Sequence, residues 1–546
     1  MFNPDWQEVV ETSYRSNISN AFMLTGNIGD YAKETVYLKD YLVSWGINRM
    51  KKNDVYIYDI NTHGVAFKSQ KSGISFDEII NKITNKEGND VFIFYYPEYI
   101  IPADSYVQPD DKQRIVALHS AINSSNFICS KNIVFFVTES AASIHPMFLG
   151  NNSKITLINI ELPDIYTRTS FIEYWWDRHP TQRSETSFQG TSYETIANLT
   201  AGLQLVAIED IFLLAINIGS ISNKMIIEKK KEIIKKEFGE VVEIFDTQGL
   251  SLSKFAGQED IKNYFKETVI DALKTGALDI VPKGVMFMGP PGTGKTYFAK
   301  CLAADSGINF VEFKLSKILG KYVGESEKAM EKALSVFRAL SPVGVFMDEI
   351  DQSMSRGEGG SDGGSRVNAN LFGMLLAEMS RPENRGKIIW IAATNYPNRV
   401  DEALKRAGRF DKKIPFFAPS KSERAAVFKL HLSRKGIRVG SSVDIAKLAD
   451  ETDGYTQAEI ESIVVKALEL AKRNKKPEIT QEILDMALKY MLSNQNEKIR
   501  EMEDIALKEC NDQEFIPEIY RERHRDLLLK NSTNTSFGSV DRGQFR

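Results

Sequence analysis

Two segments of the chain carry residue types suited to binding phosphate groups and a divalent cation. The first, GPPGTGKT from Gly289 to Thr296, follows the short apolar run VMFM and precedes a stretch of helical period. Gly292 and Gly294 allow the backbone to curl so that its N–H groups point at a phosphate, and the start of the helix adds partial positive charge. Lys295 supplies a charge to phosphate oxygens, and the Thr296 hydroxyl can bind Mg²⁺. This segment predicts a phosphate-binding loop.

The second segment is an apolar run that ends abruptly in two carboxylates, VGVFMDE from Val343 to Glu349. A buried strand of a parallel sheet presents such acids at its carboxyl edge, where α/β proteins bind their ligands. Asp348 is suited to hold Mg²⁺ directly or through water. Glu349 is suited to orient and deprotonate the water that attacks the γ-phosphate. Together the two segments predict an enzyme that hydrolyses ATP with Mg²⁺.

The residues around these segments predict an α/β fold. From about Gly284, short apolar runs such as FVEF and IIWIAAT alternate with longer stretches of helical period. This is the pattern of a parallel sheet covered by helices. After Pro419 only amphipathic helical stretches follow, which predicts a small helical lid subdomain.

The first 220 residues show the same order of signals, which suggests an internal repeat. IVFFVT ends at Thr138 as IIWIAAT ends at Thr394, and Pro163 matches Pro419, with 256 residues between the members of each pair. Further on, LTAGL matches ETDGY with an offset of 252. The alternative, that any two α/β segments look alike, stays open. We favour two copies of one architecture, joined by the basic helix Met225 to Phe238.

With these motifs in place, the chain resembles the AAA ATPases, the family of FtsH, spastin, katanin and the proteasomal ATPases. The resemblance covers roughly Leu252 to Leu492 and includes IAATN and DEALKRAGRFDKKI besides the two segments above. It implies a P-loop NTPase sheet with a helical lid and a homo-oligomeric ring, most simply a hexamer. The tandem arrangement is also similar to that of AAA proteins from plastids and cyanobacteria.

The resemblance implies further catalytic residues. Asn395 falls at the family's sensor position, where it would hold the water against the γ-phosphate. Arg406 and Arg409 match the arginine fingers, which reach the nucleotide of the neighbouring subunit and stabilise charge in the transition state. Without the family, two arginines three residues apart would more often be solvated or paired on the surface.

The resemblance also implies contacts to the base. FAGQ is similar to the stretch that meets the adenine, through Ala256 and Gly257. In the lid, Gly454 and Ala458 match the family, whereas Gln457 stands where the family has glycine. The predicted nucleotide contacts are Ala256, Gly257, Pro291, Gly292, Thr293, Gly294, Lys295, Thr296, Tyr297, Asp348, Gly454 and Ala458, with Thr296 and Asp348 as metal ligands.

Two further segments are similar to the family's pore loops. KYVGESE, from Lys321 to Glu327, would place Tyr322 and Val323 in the central channel. The alternative is a turn at a helix start in which Tyr322 packs on its own domain. Ser355 to Arg366 has five glycines and matches the place of the second pore loop, although a flexible surface loop would show the same composition.

The amino-terminal copy lacks the residues that bind phosphate. AFMLTGNIGDY has Gly26 near the expected loop but neither the lysine nor the following Ser or Thr. The offset of 252 places Tyr96 and Pro97 opposite Asp348 and Glu349. We expect a degenerate AAA-like module without a nucleotide site.

Charge, cysteine content and missing motifs argue against several other classes of protein. A formal net charge of −4 gives no overall attraction to nucleic acid or to anionic membranes. Cys129, Cys301 and Cys510 form no CxxC pair, and no apolar run approaches the ~20 residues that span a bilayer. No HExxH occurs, so no zinc peptidase is indicated. These features predict a cytoplasmic ATPase.

The predicted domain plan has five parts. They are a degenerate AAA-like module (1–224), a linker helix (225–250), the large α/β ATPase subdomain (251–415), the helical lid (416–492), and a charged helix with a flexible tail (493–546).

The expected function is that of an ATP-driven motor that remodels, unfolds or disassembles protein substrates as a ring of identical subunits. Two alternatives stay open. A nucleic-acid motor or loader would be favoured by a basic pore lining or by stimulation with DNA. An assembly scaffold, in which ATP binding only sets ring formation, would show turnover that no protein substrate stimulates.

Overall fold

The computed structural model describes residues 5–60, 63–103, 109–150, 154–239, 241–247, 249–319, 325–353, 362–434, 438–491 and 496–536. The chain divides into two compact units. Unit 1 comprises Met1–Gly239 with Gly320–Leu340, and unit 2 comprises Glu240–Leu319 with Ser341–Arg546. Within the described ranges no helix is both long enough and apolar enough to span a bilayer.

Unit 1 is built on a mainly parallel sheet. Its strands are β1 (Ala21–Gly26), β2 (Tyr31–Lys33), β3 (Val36–Tyr37), β4 (Val55–Asp59), β5 (His63–Ala66), β6 (Lys71–Ile74), β7 (Val91–Tyr95), β8 (Ile133–Val137) and β9 (Ile155–Ile160). β2 and β3 form a separate hairpin, and the others form one sheet in the order β6-β5-β4-β7-β8-β1-β9.

Helices cover this sheet and extend beyond it. They are α1 (Asp5–Arg15), α2 (Leu38–Ser44), α3 (Phe76–Ile83), α4 (Pro109–Ile122), α5 (Ser125–Cys129), α6 (Ile165–Arg178), α7 (Pro180–Glu185), α8 (Tyr193–Leu199), α9 (Leu205–Ile218) and α10 (Asn223–Phe238). The strands are apolar on both faces because both faces are covered. On β7, Phe92 and Phe94 belong to one core cluster and Val91 and Ile93 to another.

Unit 2 has a second sheet of the same kind. Its strands are β10 (Val242–Ile244), β11 (Gly284–Met288), β12 (Asn309–Phe313), β13 (Val343–Met347), β14 (Ile388–Thr394) and β15 (Lys412–Pro415). Their order is β10-β12-β13-β14-β11-β15. β10 pairs antiparallel with β12, and the other pairs are parallel. The predicted α/β class is confirmed.

The remaining helices follow the same chain order. They are α11 (Glu259–Phe265), α12 (Ala272–Thr275), α13 (Lys295–Ser306), α14 (Ser316–Leu319), α15 (Glu325–Ala339), α16 (Ile350–Ser353), α17 (Asp362–Ser380), α18 (Lys421–Leu432), α19 (Ile445–Glu451), α20 (Gln457–Arg473), α21 (Gln481–Tyr490), α22 (Asn496–Glu509) and α23 (Glu518–Ser536). α15 groups with unit 1, where the Ser140 hydroxyl donates a 2.6 Å hydrogen bond to Glu331. Helices α18 to α21 share one apolar core, the lid.

The two units repeat one architecture in detail. Five parallel strands have the same order in both, β4-β7-β8-β1-β9 in unit 1 and β12-β13-β14-β11-β15 in unit 2. Arg168, buried on α6, donates to the carbonyl oxygens of Ala197 and Pro163. Arg424, buried on α18, donates to those of Ala449 and Pro419 at 2.9 Å each. The arginines and the prolines are 256 residues apart, and the alanines are 252 residues apart, as are the sequence pairs above. In each unit, an equivalent buried guanidinium joins equivalent segments.

The structure differs from the expected domain plan at three places, the first of which is α15, expected in the ATPase subdomain (251–415) but grouped with unit 1. The helix expected in the linker is α10, which starts at Asn223, and β10 then adds an edge strand to the sheet of unit 2. In the segment expected as a charged helix with a flexible tail (493–546), α22 is a charged helix and a second helix, α23, follows it. Leu507 of α22 and Ile516 pack with Phe417. Residues 537–546 of that tail lie outside the described residues.

Candidate functional site

The phosphate-binding loop lies between the buried strand β11 and helix α13, as the sequence predicts. Gly292 and Gly294 have φ values of 78° and 87°, which favour glycine. A Cβ on Gly294 would come within 2.7 Å of the Gln457 side chain and 3.0 Å of the Phe255 ring. The Thr293 side chain is buried and donates a 2.9 Å bond to the Pro290 carbonyl oxygen. The loop is therefore closely packed, and its glycines have no room for side chains.

Lys295 is the first residue of α13 and lies inside this loop. Its Nζ donates to the carbonyl oxygens of Gly289 and Pro290, each at 2.8 Å, and to Asn395 Oδ1 at 2.9 Å. Burial lowers the pKa of Lys295 to about 8, and the nearby carboxylates Asp348 and Asp351 oppose that shift. The ammonium group is held next to Asn395, which is 100 residues away in the chain.

The acid pair follows β13 directly. Asp348 Oδ2 accepts a 2.8 Å hydrogen bond from the Thr296 hydroxyl, and Asp348 Oδ1 accepts one from the Glu349 N–H at 3.0 Å. Hydroxyl and carboxylate oxygens are the donors that Mg²⁺ prefers, so the two predicted metal ligands fit that ion. Glu349 is exposed and has a φ of 47°, a left-handed conformation that is strained for glutamate.

Asp348 and Glu349 also line a cavity of about 380 Å³ at the carboxyl edge of the sheet. Glu312 at the end of β12 and Gln352 on α16 line it as well. A carboxylate exposed to such a space can meet a water molecule. The strained backbone of Glu349 thus coincides with the position where the sequence predicts the general base.

The sensor segment is supported by a buried bond that sequence reasoning missed. The Thr394 hydroxyl donates a 2.7 Å hydrogen bond to Asp351 and accepts one from the Tyr396 N–H at 3.1 Å. These bonds hold both sides of Asn395. Asp351 lies three residues after Asp348, but an acid at the start of a helix is too common to be singled out.

The predicted adenine segment is attached to the lid. Gln457 Nε2 donates a 3.3 Å bond to the Ala256 carbonyl oxygen, and Glu423 accepts one from the Gln258 N–H at 2.9 Å. A Cβ on Gly257 would approach the Glu423 side chain to 2.4 Å. The glutamine that departs from the family pattern therefore bridges the adenine segment and the phosphate loop. Glu423 was not anticipated, because it also serves in the capping box of α18.

Four further residues of the predicted nucleotide contacts lie in the loop, on α13, or at or just before the start of α20. The Ala458 N–H donates a 3.1 Å bond to the Gly292 carbonyl oxygen. Gly454 has a φ of 77° and lies in the turn before α20. The Tyr297 ring stacks on Phe255 with centroids 5.9 Å apart. Pro291 is exposed at the tip of the loop.

The two predicted arginine fingers lie on the segment between β14 and β15. Arg406 is exposed, and Arg409 donates to the Ser380 hydroxyl at 3.2 Å and to the Ala403 carbonyl oxygen. The adjacent Lys405 is buried and pairs with Glu509 of α22 at 3.0 Å. The carboxyl-terminal helix therefore holds this segment, which the sequence did not indicate. Tyr322, Val323 and most of the predicted second pore loop (355–366) lie outside the described residues.

In unit 1 the corresponding positions carry no phosphate ligand. One residue separates β7 from the helical turn Pro97–Tyr99, whereas two residues separate β13 from α16. The residue directly before each of these helices has a left-handed conformation. It is Tyr96 in unit 1, with a φ of 54°, and Glu349 in unit 2. The pairing of Tyr96 and Pro97 with Asp348 and Glu349, expected from the offset of 252, is therefore wrong by one residue. Tyr95 and Tyr96 occupy the positions that correspond to Asp348 and Glu349.

A buried carboxylate lies in the loop after β1, the counterpart of the phosphate-binding loop. Asp30, 3% exposed, accepts hydrogen bonds from the backbone N–H groups of Tyr31, Leu205 and Val206, at 2.9, 2.9 and 3.1 Å. Asn27 Nδ2 adds a bond of 3.0 Å. Burial raises the pKa of Asp30, while these four bonds oppose the shift. The carboxylate thus caps α9 from a distant loop.

Asp30→Ala should destabilise unit 1 by about 2 to 4 kcal/mol, because the buried N–H of Leu205 and the part-buried N–H groups of Tyr31 and Val206 lose their acceptor. Four of the five tryptophans lie in unit 1, so denaturant unfolding followed by tryptophan fluorescence measures the change. Asp40→Ala, at an exposed position on α2, is the matched control. Equal midpoints for the two variants would contradict the capping role.

Comparison with known proteins agrees with this division of the chain. Residues 285–417 match the model of the ATPase family associated with various cellular activities (AAA). Residues 3–161 match the AAA+ chaperone N-terminal Rossmann-like domain, and residues 166–239 match the AAA+ chaperone second helical domain.

Three relatives show the extent of similarity. A cell division cycle protein 48 homolog of Archaeoglobus fulgidus is 39% identical over 38% of this chain and 28% of its own. The ATPase family gene 2 protein of Saccharomyces cerevisiae is 30% identical over 72% of this chain and 50% of its own. A proteasome-activating nucleotidase of Methanothermobacter thermautotrophicus is 33% identical over 48% and 64%. The chain spans less than two thirds of the length of each.

Proposed function

We propose that this chain hydrolyses ATP to remodel protein substrates, since residues 285–417 match the AAA family and residues 3–161 match the AAA+ chaperone N-terminal domain. The observation that carries the proposal is the cluster of Lys295, Thr296, Asp348 and Asn395. Two hydrogen bonds of 2.8 to 2.9 Å join these residues in two pairs. A cation, a hydroxyl, a carboxylate and an amide in this arrangement are suited to a magnesium nucleotide.

Each residue has a distinct proposed role. The N–H groups of the loop and the Lys295 ammonium bind the phosphate oxygens, after Lys295 exchanges its carbonyl partners for them. Thr296 and Asp348 hold Mg²⁺, which would neutralise charge on the phosphates. Glu349 orients and deprotonates the attacking water, and Asn395 holds that water in place. The site supplies charge and positioning, which dominate catalysis of phosphoryl transfer.

Arg406 and Arg409 act on the nucleotide of a neighbouring subunit in this proposal. Arg406 is exposed and Arg409 is half-buried, so the segment can meet a second copy of the chain. Stabilisation of transition-state charge by such arginines needs a homo-oligomeric ring. The ion pair between Lys405 and Glu509 holds the segment on its own subunit.

Substrate-dependent turnover tests the proposed function. Full-length protein is assayed for ATP hydrolysis with Mg²⁺ alone, with unfolded casein and with duplex DNA. Stimulation by casein supports protein remodelling. Stimulation by DNA would point instead to a nucleic-acid motor, and turnover indifferent to both would point to an assembly scaffold.

Tyr322→Ala separates a threading motor from an assembly switch. If Tyr322 grips substrate in the channel, the variant should keep basal turnover and lose the stimulation by casein, because an aromatic ring grips polypeptide by apolar contact. If Tyr322 packs in a core, the same change should cost about 3 to 5 kcal/mol of stability. Melting temperature decides between these outcomes. Tyr99→Ala, at an exposed tyrosine of unit 1, is the control.

A further inference from the structure

Unit 1 contains a cavity of about 660 Å³ that is separate from the ATP site. This volume lies within the range of small-molecule binding sites. Residues from α1, from the loop after β1, from the end of β9 and from α6 line it. The first residue of α9, Leu205, closes one side.

The cavity occupies the place that the nucleotide site has in an AAA module. Its lining elements correspond to α11, the phosphate loop, the end of β15, and α18 and α20 of unit 2. The buried bonds of Arg168 and Arg424 establish this correspondence for α6 and α18. Val206 and Ala458 are 252 residues apart. The Val206 N–H bonds Asp30 in the loop after β1, and the Ala458 N–H bonds Gly292 in the loop after β11.

Phosphate cannot bind here in the usual way. The loop after β1, which corresponds to the phosphate-binding loop of unit 2, places the carboxylate of Asp30 in the cavity lining, where its charge would repel a phosphate. The other charged side chains of the lining are Glu34, Glu161, Asp164 and a single lysine, Lys33. An excess of carboxylates repels a polyanion and favours a neutral or cationic molecule.

Aromatic side chains in the lining of the cavity suit a ligand with a planar ring. Tyr31 and Phe171 lie with their ring centroids 6.0 Å apart, and the Tyr31 hydroxyl is held by a hydrogen bond to Glu209. Tyr174 also lines the cavity, and Arg178 stacks over its ring at 4.9 Å. Rings fixed in this way offer stacking surfaces, and the amide of Asn159 offers both a donor and an acceptor.

We propose that this cavity binds a nucleoside or a similar planar, unphosphorylated ring compound. Unit 1 then keeps the base-binding half of a nucleotide site and uses Asp30 to exclude the phosphate half. The site is independent of the ATPase residues of unit 2.

Calorimetry with adenosine tests the proposal on the full-length chain. Saturating Mg-ADP is present throughout, so that the unit 2 site is filled. Adenosine should bind with a stoichiometry of one per chain, and further ADP should not displace it. Guanosine, cytidine and uridine are titrated in the same way, because the structure defines the class of ligand rather than the base.

A matched pair of substitutions locates the site. Ser170 is exposed and lines the cavity, so Ser170→Trp should fill it and weaken adenosine binding about tenfold or more. Glu173→Trp adds the same side chain at an exposed position of α6 outside the lining and should leave binding unchanged. Ser170→Leu is a smaller filling variant, which applies if the tryptophan lowers the melting temperature.

Three results would overturn the proposal. One is that none of the four nucleosides binds to ADP-saturated protein. Another is equal affinity of the Ser170 and Glu173 variants, which would place the ligand elsewhere. The third is displacement of adenosine by ADP, which would show that a phosphate is accepted.

Discussion

Lys295→Ala should abolish detectable nucleotide binding, whereas Glu349→Gln should keep binding and lose turnover. Lys295 contributes charged hydrogen bonds to the phosphates, each worth about 1.5 to 3 kcal/mol. Its removal should therefore raise the Kd for ATP by roughly a hundredfold or more. Glu349 acts on water rather than on the bound nucleotide, so Glu349→Gln should lower kcat by roughly 10² to 10⁴ and leave Kd nearly unchanged.

The measurement pairs calorimetric titration of ATP with steady-state hydrolysis for each variant. Lys274→Ala and Glu383→Gln change the same residue types at exposed positions of unit 2 and should behave as wild type. Equal loss of binding in Lys295→Ala and Glu349→Gln would contradict the division of roles. Unchanged turnover in Glu349→Gln would remove the general base from the mechanism.

Arg409→Ala and Arg406→Ala should each reduce ATP turnover strongly without loss of nucleotide binding. Arginine fingers contribute roughly 10³ to 10⁵ in rate in P-loop enzymes. Arg409 currently bonds Ser380 and the Ala403 carbonyl oxygen, contacts that a partner's nucleotide would have to replace. Arg473→Ala, an exposed arginine at the end of α20, is the control.

Mixing experiments distinguish action between subunits from action within one chain. An Arg409→Ala chain keeps an intact Glu349, and a Glu349→Gln chain keeps an intact Arg409. Mixed rings should therefore regain part of the turnover that each variant lacks alone. Turnover per chain that stays constant on dilution to demonstrated monomers would exclude the ring mechanism.

The candidate ATP site could be located from the sequence because its parts are contiguous. Gly289 to Thr296 contain the turn, the cation and the hydroxyl within eight residues, and Asp348 and Glu349 directly follow a buried strand. Alternation of short apolar runs with helical stretches likewise indicated both α/β sheets. The internal repeat was detectable because buried positions such as Arg168 and Arg424 constrain spacing.

The tertiary structure decided which distant residues meet. The contacts of Lys295 with Asn395, of Gln258 with Glu423 and of Lys405 with Glu509 span 100, 165 and 104 residues. In each pair, one partner or both is an ordinary polar residue when considered alone. Only the folded arrangement of strands and lid brings them within hydrogen-bond distance.

The same holds for unit 1. Its sequence has no lysine at the position that matches Lys295 and no acid pair at the positions that match Asp348 and Glu349. This absence sufficed to predict a module without a phosphate site. Asp30 looked like a loop aspartate, since such residues are common in turns. Its role as the anion that caps α9, and the cavity beside it, depend on α9 starting next to the loop after β1, about 175 residues away. Chemistry carried by neighbouring residues is thus determined by sequence, whereas chemistry shared between distant segments is decided by packing.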